Sequence, residues 1–128
     1  MSKTSVNARL AMIQAFAGFM DSGSQSATVI FYEGVQPANT AIAADSNNAL
    51  VTLTFPEPCI KDVTTIYIEL HPTDTVTVTK SGTATWARIY NGAGEVAADL
   101  TVGTDIILAN TSLALGGSFQ VNSFKIRA

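Results

Sequence analysis

The one histidine of the 128-residue chain, His71, stands three residues before Asp74 in the run HPTD. A histidine oriented by a carboxylate is part of a general-base constellation. The same four residues suit a turn, because Pro72 fixes φ and an aspartate bonds backbone close by. The turn is the expectation, since no G-x-S-x-G elbow presents a serine nucleophile for such a base. The 10 Asp and Glu are scattered, and no two stand at an alternating strand spacing that would suggest a glycosidase acid and nucleophile. A zinc centre needs more His or Cys than one of each. No EF-hand loop is present for calcium. Cys59, in FPEPCI, has no partner for an internal disulfide and is expected to serve as a small apolar side chain. The glycines of NGAG and LGGS lack a P-loop lysine and the G-x-G-x-x-G pattern, and read as tight turns between strands. The expectation is therefore a protein that is not an enzyme, with no cofactor and no metal.

A different kind of chemistry is offered by SGTATWARIYNGAG, residues 81–94. Alternation along a strand puts Trp86, Arg88 and Tyr90 on one face and Thr85, Ala87 and Ile89 on the other. Such a row has three uses. It can pack beneath another element while the arginine reaches the edge. It can contact a second protein. It can form a stacking platform for a sugar, with a cation–π contact from Arg88 available in any of these arrangements.

The elements that must position this row begin with a helix over residues 5–21. Val6, Leu10, Ile13, Ala17 and Met20 recur at spacings of four and three, forming one apolar stripe that Phe16 and Phe19 widen. Thr4 or Ser5 is suited to start the helix and Gly23 to stop it. After the polar hinge DSGSQS the period changes to two. Strands are expected at 27–32, 49–55, 63–70, 75–80, 83–90, 95–102 and 104–109, with a last strand near the end, and residues 33–48 form a long loop. About eight short strands at this spacing predict a mainly β fold, an antiparallel β-sandwich of jelly-roll type preceded by one N-terminal amphipathic α-helix. The sixteen threonines suit pleated surfaces, and no βαβ alternation signals a parallel sheet. One domain is expected over 1–128, with residues 1–22 as the helix, a candidate inter-subunit arm, and 27–128 as the sandwich.

Composition narrows the function classes. Charged residues make up 13% of the chain and hydrophobic ones 47%, against roughly 25% charged in an ordinary soluble domain. A surface so poor in charge is weakly guarded against association, which points to a subunit covered by neighbours. Net charge is −3 and there is no basic cluster, so no nucleic-acid partner is expected. No run reaches the length of a membrane span, and no membrane partner is expected. LAMIQAFAGFM is interrupted by Gln14 and is not followed by an A-x-A-like site, so it does not read as a signal peptide.

Taken in order, the N-terminal helix, SATVIFYEGVQPA, ALVTLTFPEP, SGTATWARIYNGAGEV and DIILANTSLALGGSFQVNSFKI resemble a family of small structural proteins of tailed bacteriophages and prophages. The resemblance covers nearly the whole chain, and its motifs are structural ones. It implies a virion protein assembled in the host cytoplasm. The leading expectation is a capsid decoration (cement) protein that bridges subunits of the head as a homo-oligomer, a trimer being favoured, with the major capsid protein as a further partner and strand-edge pairing among its contacts. Tail, collar or baseplate placement is the alternative, and a carbohydrate-binding module for host adsorption the alternative from another class. The candidate interface residues are Val6, Leu10, Ile13, Phe16 and Met20 of the helix together with Trp86, Arg88 and Tyr90.

Overall fold

The computed structural model describes residues 6–56, 60–63, 67–104, 106, 108, 111–121 and 124–127. Helix α1 (Val6–Met20) ends one residue before the expected end of the span. The Ser22 amide and hydroxyl bond the carbonyls of Phe19 (3.1 Å) and Gly18 (2.9 Å), closing the last turn. The expected caps Thr4 and Ser5 lie outside the described residues. Met20 is fully buried and Phe16 is partly buried against the core. Ala8, Ala11, Met12, Gln14, Ala15 and Gly18 face solvent.

The hinge after α1 is held by main chain. A Cβ on Gly92 would overlap the carbonyl oxygens of Ser22 and Gln25, and one on Gly23 would overlap the backbone of residues 92 and 93. Gly23 also has φ +98°, a conformation that costs other residues free energy. The NGAG turn is thus both a turn and a backbone contact with the hinge.

Among the described residues eleven strands follow: β1 (Thr28–Tyr32), β2 (Ala49–Thr54), β3 (Ile60–Val63), β4 (Tyr67–Leu70), β5 (Val76–Thr77), β6 (Gly82–Thr83), β7 (Trp86–Tyr90), β8 (Val96–Thr101), β9 (Ser112–Leu113), β10 (Ser118–Phe119) and β11 (Phe124–Arg127). They form a four-stranded sheet in the order β2-β1-β7-β8, a three-stranded sheet β11-β4-β3, and the two-stranded pairs β10-β5 and β6-β9. Every strand pairing is antiparallel. The chain is thus mainly β, with sheets of up to four strands preceded by one short helix. Helix α1 lies against β3 and β4. Met20 shares one core with Val29 and Phe31 of β1, Val51 and Leu53 of β2, Leu70 of β4 and Ile89 of β7.

Several expected strands come out differently. The run 63–70 is two strands, β3 and β4, paired antiparallel with Asp62 opposite Glu69 and Val63 opposite Ile68. The run 75–80 keeps only β5, because its ends are claimed elsewhere. The Asp74 amide bonds Thr54 O (3.2 Å), the Asp74 carboxylate accepts from Thr54 N (2.9 Å), and Thr79 N donates to Leu50 O (3.0 Å). Between those points β5 pairs with β10 instead. HPTD is not a turn. It is an irregular link in which the Thr73 amide bonds Val121 O and the Thr73 hydroxyl accepts from Val121 N. Its aspartate bonds backbone 20 residues away in sequence rather than its own. Of the expected strand at 104–109 the structure describes residues 104, 106 and 108, and Ile106 makes an isolated parallel bridge to Val102.

Both outer strands of the large sheet are guarded. Along β2, Asp74 takes both backbone groups of Thr54, and Thr79 takes the Leu50 carbonyl. Strand β8 carries a bulge between its Ala98 and Val96 pairings with β7. Bulges and occupied backbone groups are how sheets avoid pairing with other chains.

Candidate functional site

Alternation on β1, β7 and β8 sends Val29, Phe31, Ala87, Ile89 and Leu100 into the core. The register then sets Tyr32 opposite Trp86, Ile30 opposite Arg88, and, from β8, Thr101 opposite Trp86 and Asp99 opposite Arg88 on the other face. The Tyr32 and Trp86 rings are stacked, with centroids 4.4 Å apart at 15°. The Arg88 guanidinium carbon lies 5.4 Å from the centre of the Trp86 ring.

Arg88 grips Asp99 with two parallel bonds, Nε to Oδ1 at 2.6 Å and Nη2 to Oδ2 at 2.9 Å. Its remaining nitrogen, Nη1, donates to the carbonyl of Ile42 at 2.7 Å. The two side chains are 2% and 7% exposed, so this is an ion pair taken out of water, which is tolerable because both ends of the fork are met. The bond from Asp99 holds the Arg88 guanidinium above its ordinary pKa against the opposing effect of burial. Burial pushes the Tyr32 hydroxyl well above the ordinary tyrosine range, and its hydrogen bond with Tyr90 adds to the shift.

What buries this face is the connection from β1 to β2, residues 33–48. Its neck is closed by Glu33 N donating to Asn48 O (3.0 Å). Lys80 Nζ bridges the neck, 2.6 Å from both the Glu33 carboxylate and the Asn47 carbonyl. Asp45 caps a single 3₁₀ turn, Ser46–Asn48, by accepting from Asn47 N. The body of the loop is tied down at three points around Trp86: the Thr85 hydroxyl to Gly34 O (2.7 Å), the Thr101 hydroxyl to Gln36 Oε1 (2.7 Å), and Arg88 to Ile42 O. Compact loops with joined ends are a common seat of function.

The loop points apolar side chains outward. Val35 is 91% exposed and Ile42 47% exposed. Leu115, in the turn between β9 and β10, is 67% exposed, and its amide is held by the Ser81 hydroxyl at 2.8 Å. Ser81 follows Lys80, the residue that bridges the loop neck. Val35 and Leu115 each stand in solvent beside main chain that is held by a hydrogen bond.

Of the eight interface candidates, Met20, Trp86 and Arg88 are buried in the isolated chain, and Phe16 and Tyr90 are half-buried. Val6, Leu10 and Ile13 lie on α1, and their side chains fall outside the described ones. The Trp86 ring, 2% exposed and stacked on Tyr32, offers no free face to a sugar. Sequence reasoning missed Asp99, although a hairpin through NGAG sets it opposite Arg88. It also missed Val35, Ile42 and Leu115, whose loop setting has no period to reveal outward placement. Cys59 lies outside the described residues. Among the described residues no three His, Cys, Asp or Glu gather as metal ligands, and no helix is long and apolar enough to cross a membrane. Compared with protein-family models, with curated proteins and with solved structures, the chain matches none of them.

Proposed function

We propose that this chain is a structural subunit of a tailed-phage particle, a capsid decoration protein that acts by binding neighbouring subunits rather than by catalysis. The observation that carries this reading is that two large apolar side chains, Val35 and Leu115, stand in solvent beside hydrogen-bonded main chain. Large apolar side chains exposed to solvent are a mark of protein contact, since burying them against a partner is favourable. The low charge of the chain and its resemblance to small phage proteins support the same reading. Because both edges of the large sheet are guarded, contacts are assigned to these side chains and not to strand pairing. In this reading the four- and three-stranded sheets are the two layers of a jelly-roll-like sandwich, supported by the core they share, and the subunit works as a homo-oligomer, a trimer, on the major capsid protein.

The test is to fractionate particles that carry the protein and measure its copy number. Decoration requires a fixed number of copies per capsid hexamer or pentamer, and recovery from purified tails alone would sink it. Val35→Ser with Leu115→Ser is expected to leave the chain folded and to abolish its retention on heads. Full retention of that variant would move the contact surface elsewhere.

A further inference from the structure

We infer that residues 34–44 form a latched strap that opens as a unit, uncovering the Tyr32–Trp86 stack while the sheet beneath stays folded. The inference rests on how the strap is held. Not one of residues 33–48 is buried, so the strap contributes almost no apolar burial of its own. Val35, 91% exposed, gains almost no burial from its being closed, and Ile42, 47% exposed, gains only part of its own. Three polar ties fasten it, from Thr85, Thr101 and Arg88, and all three surround Trp86. A segment with few buried apolar contacts belongs to the low-stability end of a structure, where local opening precedes global unfolding.

The surface under the strap is of the opposite kind. Tyr32 and Trp86 are 3% and 2% exposed, and Arg88 stays satisfied by the Asp99 fork when Ile42 leaves. Opening therefore strands no buried charge, since water replaces one carbonyl on Nη1. The neck at Glu33, Asn47, Asn48 and Lys80 is outside the covered patch and serves as the hinge. The strap is thus a latch on an aromatic surface that the closed molecule hides.

Trp86 is the only tryptophan, so tryptophan fluorescence reports on this one position, and circular dichroism separates opening of the strap from unfolding. In the full chain, acrylamide quenching of Trp86 is measured across urea concentrations below the unfolding transition, with far-UV circular dichroism recorded in parallel. The expected result is a low quenching rate that rises with urea much less steeply than global unfolding does, the mark of an opening that exposes only the strap and the two rings. Thr85→Val with Thr101→Val, which removes two ties at nearly constant side-chain volume, is expected to raise that rate by roughly fivefold for each lost bond with unchanged circular dichroism. Quenching that rises only with the loss of circular dichroism in the unaltered protein would overturn the inference, even if the double variant did not fold. A folded double variant with unchanged quenching would overturn it as well.

Discussion

On its inner face the four-stranded sheet meets Met20, Phe55, Leu70 and the side chains of its own alternate residues, all apolar and all dry. On its outer face, at the Tyr32 end, it meets a loop with no buried residue, fastened by Arg88 Nη1 and two threonine hydroxyls. Both faces are closed to water. The first is closed by area and shape, the second by a few directional bonds over two stacked rings. The difference teaches where each kind of failure should appear. Damage to the inner face should unfold the protein, and damage to the outer face should first free the loop.

The largest expected effect is on the inner face. Phe31 is fully buried and meets Phe119 edge to face at 5.3 Å. Phe31→Ala should cost about 3–5 kcal/mol, read as a lowered urea midpoint with the Trp86 signal and circular dichroism lost together. Arg88→Ala should rival it, by about 3–5 kcal/mol, because Asp99 is left charged and unmatched under the loop. Arg88→Met with Asp99→Leu sharpens the contrast. Replacing both partners by apolar groups should recover most of the stability in denaturant melts, while Trp86 quenching stays elevated because the tie to Ile42 is gone. If the double variant were as unstable as Arg88→Ala, the fork would be needed for the sheet itself.

A smaller effect is set by pH. The Tyr32 hydroxyl has a folded-state value raised above its ordinary 10.0, so folding favours its neutral form. That contribution is complete below about pH 10, where unfolded tyrosine is also protonated, and is lost as pH rises beyond that toward the folded value. Tyr32→Phe should therefore flatten the fall of stability in alkaline urea titrations, and an unchanged alkaline slope would argue against burial of that hydroxyl. The smallest effect belongs to the exposed apolar side chains. Val35→Ser or Leu115→Ser should shift stability by less than about 0.5 kcal/mol, measured in the same melts.

This contrast also explains what could be read in advance. The inner face was legible in part. Alternation put Val51 and Leu53 on one face, while the run 27–32 is apolar on both sides and the alternation of 83–90 does not say which face turns inward. Val29, Phe31 and Ile89 are set inward by the pairing of β1 with β2 and β7. Helix α1 was legible from its period. Strands β3 and β4 were not, since VTTIYIEL alternates through the region where the chain reverses and carries no Gly, Pro or Asn to announce it. The 75–80 strand was overcounted because backbone competition is invisible to a pattern: Asp74 and Thr79 bond β2 in preference to extending β5. The outer face was the least legible. Loop 33–48 has turn formers and small residues but no period, so nothing in it says that it folds back over Trp86. The row Trp86–Arg88–Tyr90 was correctly placed on one face. What covers that face depends on a carbonyl, that of Ile42, which carries no residue-type signal at all.

The close approach of Gly92 to the backbone of Ser22 and Gln25 has a consequence for engineering. A joint formed by main chain against main chain sets the direction in which α1 leaves the sheet without reading the side chains on the helix exterior. Ala8, Ala11, Met12 and Ala15 can therefore be rewritten, or the helix lengthened to carry a fused cargo, with the attachment angle preserved. Inserting any side chain at Gly92 would wedge the joint apart, so this one glycine decides whether the helix can be used as a handle.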